Sequence, residues 1–89
     1  MEKLMIDHIE YNTKGTCSRK VILDVEDGVI VDCSFVAGCP GNTLGVATLV
    51  KGMRVEEAIL RLKGIKCGPK STSCPDQLAR ALEESLVNN

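Results

Sequence analysis

The sequence predicts an α+β fold: a small antiparallel sheet of about three strands, covered on one face by three helices. Three observations point there. Residues 4–35 contain short β-leaning runs with period-two alternation about an Asp-Gly turn. Residues 42–87 place apolar side chains three and four apart, the spacing of helices. The change of period falls at the Gly-Cys-Pro-Gly break, 38–41, where small residues and Pro40 end a strand. The chain, 89 residues and 44% apolar, is expected to form one domain over 1–89. On folding it should bury about 60–65% of its unfolded surface. With one Phe, one Tyr and no Trp, the core must be built from Val, Ile, Leu, Met and Ala.

Each element can be justified in turn. The run LMIDHIEY, 4–11, is apolar and β-leaning and ends at Asn12, which makes it the first strand. A basic turn, NTKGTCSRK, follows. The segment RKVILDVEDGVIVDCSFV then alternates around Glu26-Asp27-Gly28, as a hairpin would. A two-residue Asp-Gly loop would set Leu23 opposite Asp32 and mix the two faces. A three-residue loop with Gly28 left-handed pairs Val25 with Val29, Leu23 with Val31 and Val21 with Cys33, so this register is expected. It puts Cys33 on the buried face beside Phe35, where a cysteine acts as a small hydrophobe. Asn42 can cap a largely apolar helix carrying Leu44, Ala47, Leu49 and Val50, closed by Gly52. A second helix, 55–63, carries Ala58, Ile59 and Leu62 and stops at Gly64. The third begins near Cys74 and runs to about 87, with Leu78, Leu82 and Leu86 four apart.

Composition excludes several function classes. Eleven basic against twelve acidic residues give a net charge of −1, and no long run of like charge occurs. No nucleic-acid or acidic-membrane footprint follows from that balance. The N-terminal MEKLMIDHIEY lacks the apolar core of a signal peptide, and no segment approaches the ~20 apolar residues of a membrane span. A cytoplasmic protein is expected. There, five cysteines, Cys17, Cys33, Cys39, Cys67 and Cys74, point to metal or thiol chemistry rather than disulfide staples.

Cys39 and Cys74 each precede a proline at or just before a predicted helix start. The positive end of a helix stabilises a thiolate and makes the sulfur a better nucleophile and ligand. Ser73-Cys-Pro-Asp76 has the shape of a capping box. Cys17 lies in the turn before the hairpin; the chain crosses the sheet and returns after Phe35 to the same end, so Cys17 and Cys39 can meet. Cys67 can fold back to that point across its Gly-Pro loop. Four thiolates there would suit zinc or an iron–sulfur cluster. The spacing alone is weak: no Cys-x-x-Cys pair occurs, and C-x5-C and C-x6-C match no common zinc-ribbon pattern. Free thiols filling space are the bland alternative. His8 reads as a surface residue rather than a ligand. Lys63, Lys66 and Lys70 read as a solvated basic face, and Gly41 and Gly45 as an anion cradle or as tight helix packing.

The run ThrSerCysProAspGlnLeuAla, 72–79, with IleLysCysGly at 65–68 and GlyCysProGlyAsn at 38–42, resembles the small TSCPD-domain proteins. The likeness covers nearly the whole chain. That family's four cysteines fall on Cys17, Cys39, Cys67 and Cys74, leaving Cys33 outside. TSCPD domains are similar to the C-terminal domain of adenosylcobalamin-dependent ribonucleotide reductases. Eighty-nine residues cannot form the catalytic barrel of those enzymes or hold a corrinoid, so adenosylcobalamin enters only by analogy with the larger reductases. More distantly, the order of hairpin, Gly-Cys helix, Val-Lys-Gly turn and Glu-Glu-Ala helix is similar to U-type iron–sulfur scaffold proteins. That likeness matches Cys17, Cys39 and Cys74 to the scaffold cysteines. Ser73 stands where the scaffold has a histidine, and no scaffold aspartate is recognisable near Ser18. Cys67 would then supply the fourth ligand, closing a structural or storage-like site.

The expected function is a cysteine-ligated zinc or iron–sulfur module, held by Cys17, Cys39, Cys67 and Cys74, with an accessory role beside a reductase or a cluster-handling partner. The alternative is a thiol redox protein in which Cys67 and Cys74 cycle between dithiol and disulfide to relay electrons to a reductase. A third reading is a homodimerising adaptor with idle cysteines.

Overall fold

The computed structural model describes residues 6–16, 18–38 and 40–88. Its element order is β1 (Ile6–Asn12), β2 (Ser18–Glu26), β3 (Val29–Ala37), α1 (Pro40–Val50), α2 (Val55–Leu62) and α3 (Cys74–Asn88). The strands form one antiparallel sheet in the order β1-β2-β3. This is the expected α+β architecture, and the element bounds lie within one or two residues of those read from the sequence. Residues 4 and 5 of the expected first strand lie outside the described residues.

The hairpin register differs from the expected one. Glu26 pairs with Val29, so the loop is the two-residue Asp27-Gly28 turn, with φ of 51° and 81°, the primed geometry that matches strand twist. The pairing then slips between Asp24 and Val25: Val25 faces Ile30, while Leu23 faces Cys33 and Val21 faces Phe35. Val31 is the extra residue of this bulge and stands 46% exposed. The objection to a two-residue loop, that it sets Leu23 against Asp32, is removed by one residue of bulge rather than one residue of turn. Cys33 still reaches the buried face, 5% exposed, with Leu23 rather than Val21 as its partner.

Val21, Leu23 and Val25 of β2 and Ile30 and Cys33 of β3 form the sheet's side of the core. Ala47 and Val50 of α1, Val55, Ala58 and Leu62 of α2, and Leu78, Ala79, Ala81 and Leu82 of α3 complete it. Of the four-apart leucines, Leu78 and Leu82 are fully buried while Leu86 is half exposed. Helix α1 is apolar all round, and Leu44 and Leu49 face outward. The helix starts at Pro40, so Asn42 lies in its first turn rather than before it, and Pro40 takes the first position, where its missing N–H costs nothing. Gly41 and Gly45 are not there for close packing, since an added Cβ at either would meet nothing within 4 Å.

The α1–α2 connection is stitched to the hairpin end of the sheet. Ile30 N donates to Met53 O (2.9 Å), Gly52 N to Ile30 O (2.7 Å) and Val55 N to Gly28 O (3.0 Å). No helix among the described residues is long and apolar enough to cross a membrane.

Candidate functional site

At the other end of the sheet, β2 begins and β3 ends. Ser18 pairs with Ala37 but Lys20 pairs with Val36, so Arg19 is an extra residue and the strand bulges there. A regular strand would put Ser18 and Lys20 on one face. The bulge turns Ser18 inward instead, where it is 4% exposed. Its hydroxyl lies 3.2 Å from Cys74 Sγ in a buried hydrogen bond. Thr16 Oγ1 is 2.9 Å from the same hydroxyl, and the Thr13 hydroxyl donates to Ser18 O at 2.6 Å.

Ala37 and Gly38 take the chain off β3 with φ of 63° and 98°. A left-handed alanine is uncommon and costs roughly 1–2 kcal/mol, which the flanking structure must absorb. Gly38 is also sterically fixed: an added Cβ would lie 3.1 Å from Thr43 Cγ2 and 3.2 Å from Ser18 Cβ. The residue after Cys17 therefore packs on the residue before Cys39, and its hydroxyl touches the sulfur of Cys74.

The start of α3 is built as a polar knot. Asp76 N donates to Ser73 Oγ at 3.1 Å, so the serine half of the capping box forms. The aspartate half does not close it. The buried Asp76 carboxylate instead accepts from Gly64 N (2.7 Å), the Thr72 hydroxyl and Arg80 Nε (2.9 Å), while Ser73 Oγ donates to Ile65 O (2.6 Å). Burial pushes the Asp76 carboxyl up, but the hydrogen bonds from Thr72, Gly64 and Arg80 outweigh it and hold it below the usual carboxylate range. Gln77, also buried, donates to Thr72 Oγ1 (2.9 Å) and accepts from Lys14 N (3.0 Å). One helical turn thus pins both connections, 13–16 and 63–73.

Among the expected site residues, Cys74 is buried at the first position of α3, 4% exposed. Cys67 is exposed and a free thiol, in a tight loop closed by Cys67 N→Thr72 O (3.2 Å) and Lys70 N→Cys67 O (3.0 Å). Cys67 and Cys74 are not joined as a disulfide. Cys17 and Cys39 lie outside the described residues. Among the described residues, no group of three or more His, Cys, Asp and Glu side chains is placed to hold a metal ion.

Cys33 lies midway along β3, buried in the core, and lines one pocket with Ala37, Gly38 and Thr43. Burial, with Asp32 adding to it and Lys51 opposing, pushes its thiol up to about 12, so it stays protonated. His8 sits on the outer face of the sheet between Glu10 Oε2 (2.9 Å) and Asp24 Oδ1 (2.7 Å). Those hydrogen bonds, Glu10's first, raise its pKa.

Sequence reading missed Ser18, Thr72 and Gln77 as parts of the site. For Thr72 and Gln77 the available signal was that both sit inside a Thr-Ser-Cys-Pro-Asp-Gln run of polar residues which the structure buries almost completely. For Ser18 there was none, because a bulge at Arg19 leaves no mark in the alternation.

In comparisons with known proteins, no curated protein and no solved structure gives a match. A family model, the TSCPD domain, matches residues 4–86, which takes in every element described above except the last two residues of α3. The chain therefore belongs to the TSCPD-domain family.

Proposed function

We propose that this protein is a cytoplasmic cysteine-ligated metal module in which Cys17, Cys39, Cys67 and Cys74 hold zinc or an iron–sulfur cluster. One observation carries the reading. Ser18, bonded in sequence to Cys17, packs against Gly38, bonded in sequence to Cys39, and reaches the Cys74 sulfur at 3.2 Å. Single peptide units span about 3.8 Å from Cα to Cα. The chain neighbours of two cysteines thus meet the third in one corner of the fold, which supports the reading, and the loop of Cys67 is tied to that corner through Thr72.

Thiolate donors suit soft or borderline metals, and a bound metal would cross-link three loops that otherwise hang on hydrogen bonds. The role fits an accessory to ribonucleotide reduction or to cluster handling, by the likeness of TSCPD domains to the C-terminal domain of the large reductases.

Elemental analysis and absorption spectroscopy of anaerobically purified protein test this. One zinc per chain without visible colour, or a brown cluster spectrum, supports it. Each should vanish with Cys74→Ala and survive Cys33→Ala. Metal-free protein, or metal that depends on Cys33, defeats it.

A second reading is favoured by the unlike settings of Cys67, exposed, and Cys74, buried at a helix start. These two thiols would exchange with a partner's disulfide: the partner gains two electrons and two protons, and Cys67 and Cys74 become a disulfide. Metal-free protein with a reversible Cys67–Cys74 disulfide would select this reading.

A further inference from the structure

We propose that the cysteine-bearing end of the molecule is a docking surface for an acidic protein partner. Charge on this chain is balanced in sum, but its cations are not paired evenly. The connections pinned by α3, 13–16 and 63–73, with the first residues of β2, contain Lys14, Arg19, Lys20, Lys63, Lys66 and Lys70 and no Asp or Glu. Lys20 is paired with Glu10 and Lys63 with Glu83. Lys14, Arg19, Lys66 and Lys70 form no ion pair among the described residues. By contrast, Lys51, Arg54 and Arg61, elsewhere on the surface, each meet a carboxylate, as does Arg80 beside Lys14.

Three of the unpaired cations, Lys14, Lys66 and Lys70, stand on adjoining loops. Lys14, Ser71 and Thr72 line a single shallow pocket with Arg80, so the two loops adjoin, and Lys66 and Lys70 flank exposed Cys67 in the second of them. Arg19 is pushed out by the bulge that turns Ser18 in toward Cys74. The opposite end mixes both signs: Glu26 and Asp27 at the hairpin turn and Glu56 and Glu57 opening α2, with Lys51 and Arg54 paired to Asp32 and Glu56. Eight strand steps, about 26 Å, separate the two ends, well over twice the screening length at physiological salt. An approaching partner therefore meets a positive surface at the cysteines, although the net charge is −1. Such a surface orients encounter and discriminates against basic partners. An acidic protein fits better than a nucleic acid because the one aromatic side chain at this pocket, Tyr11, is half-buried against the core and neither loop adds another for successive bases to stack on.

This deepens the accessory reading by giving the partner's chemistry, and its test is independent of metal. Full-length protein, with and without added zinc, is titrated against fluorescein-labelled poly-L-glutamate, a single-stranded DNA oligomer and phosphatidylserine vesicles. Poly-L-glutamate should bind best, and weaken roughly tenfold between low and high salt. The triple variant Lys14→Glu, Lys66→Glu, Lys70→Glu should lose about tenfold or more in affinity. The triple variant Lys51→Glu, Arg54→Glu, Arg61→Glu changes net charge equally and should keep binding; circular dichroism confirms that both fold. Bound poly-L-glutamate should slow alkylation of Cys67. No binding, equal loss in both triple variants, tighter binding to DNA or vesicles, or salt-sensitive self-association by sedimentation would each overturn the proposal. If zinc fails to bind while poly-L-glutamate behaves as stated, the metal reading falls and the surface stands.

Discussion

The two ends of the sheet are held by different forces. At the hairpin end, a two-residue turn and a bulge bring Val25 against Ile30 and Leu23 against Cys33, and the helices close over them with apolar side chains. At the cysteine end the buried side chains are Ser18, Thr72, Ser73, Asp76 and Gln77, and order comes from hydrogen bonds between side chain and backbone. Apolar contacts are non-directional and tolerate a lost methyl at a graded cost. A buried polar knot is all-or-none in character, because one missing partner leaves others desolvated without compensation. The cysteine end is thus more exactingly shaped and more easily broken, as a ligand-holding corner is expected to be.

The largest break should come from Asp76→Ala. It strips Gly64 N and the Thr72 hydroxyl of their acceptor at a site with no solvent exposure. A loss of about 3 kcal/mol in urea unfolding is expected, with hydrogen exchange accelerated first at residues 64–72 rather than in the sheet. The same group sets the acid limb. Its folded pKa lies below the ordinary 3.8, so the ionised form is favoured in the native state. Its contribution is complete above that ordinary value and fades as pH falls through it toward the folded value. Wild type and Asp76→Asn should therefore differ most near neutral pH and converge only as pH falls below the ordinary 3.8 and through the lower folded value. A gap that stays constant with pH would mean that the carboxylate's charge is irrelevant.

At the hairpin end the sharpest probe is smaller. Gly28→Ala has room, with Arg54 Nη2 at 3.8 Å as the nearest atom, but must hold φ at 81°. The cost should be about 1–2 kcal/mol, all conformational, and the loops around Cys67 and Cys74 should keep their exchange protection. If those loops loosen as well, the two ends are not independent units.

How far each end was legible follows from the same contrast. Alternating apolar residues, Asp27-Gly28 and the glycine stops gave the three strands and three helices because hydrophobic period is written directly in residue type. The bulges at Val31 and Arg19 were not legible. Each skips one residue without changing composition, and whether a strand takes its extra residue in the turn or in the ladder is decided by packing across the whole sheet. The choice of a three-residue loop failed for that reason, while the face of Cys33 survived, since both solutions restore the same inner side. At the cysteine end, Ser73 and the helix start at Cys74 were readable from capping chemistry. The reach of Asp76 to Gly64, and of Gln77 to Lys14 N, was not, because nothing in a sequence says which distant backbone group a buried side chain will satisfy.

The smallest effect contrasts the cysteines themselves. Cys33 and Cys74 are almost equally hidden, 5% and 4% exposed, yet they sit in opposite surroundings. Cys33 lies among Leu23, Ile30 and other apolar side chains, with Asp32 next to it, and its thiol is pushed up to about 12. Cys74 lies at a helix start with a serine hydroxyl on its sulfur. Cys33→Ala removes only a sulfur's worth of packing and should cost about 1 kcal/mol. Alkylation mapped by mass spectrometry near pH 8 should find Cys33 unmodified in the native protein while exposed Cys67 reacts. If Cys33 were modified as fast as Cys67, the hairpin end would be opening on the timescale of the reagent. The apolar half would then be the looser of the two, reversing the order of rigidity drawn from the packing.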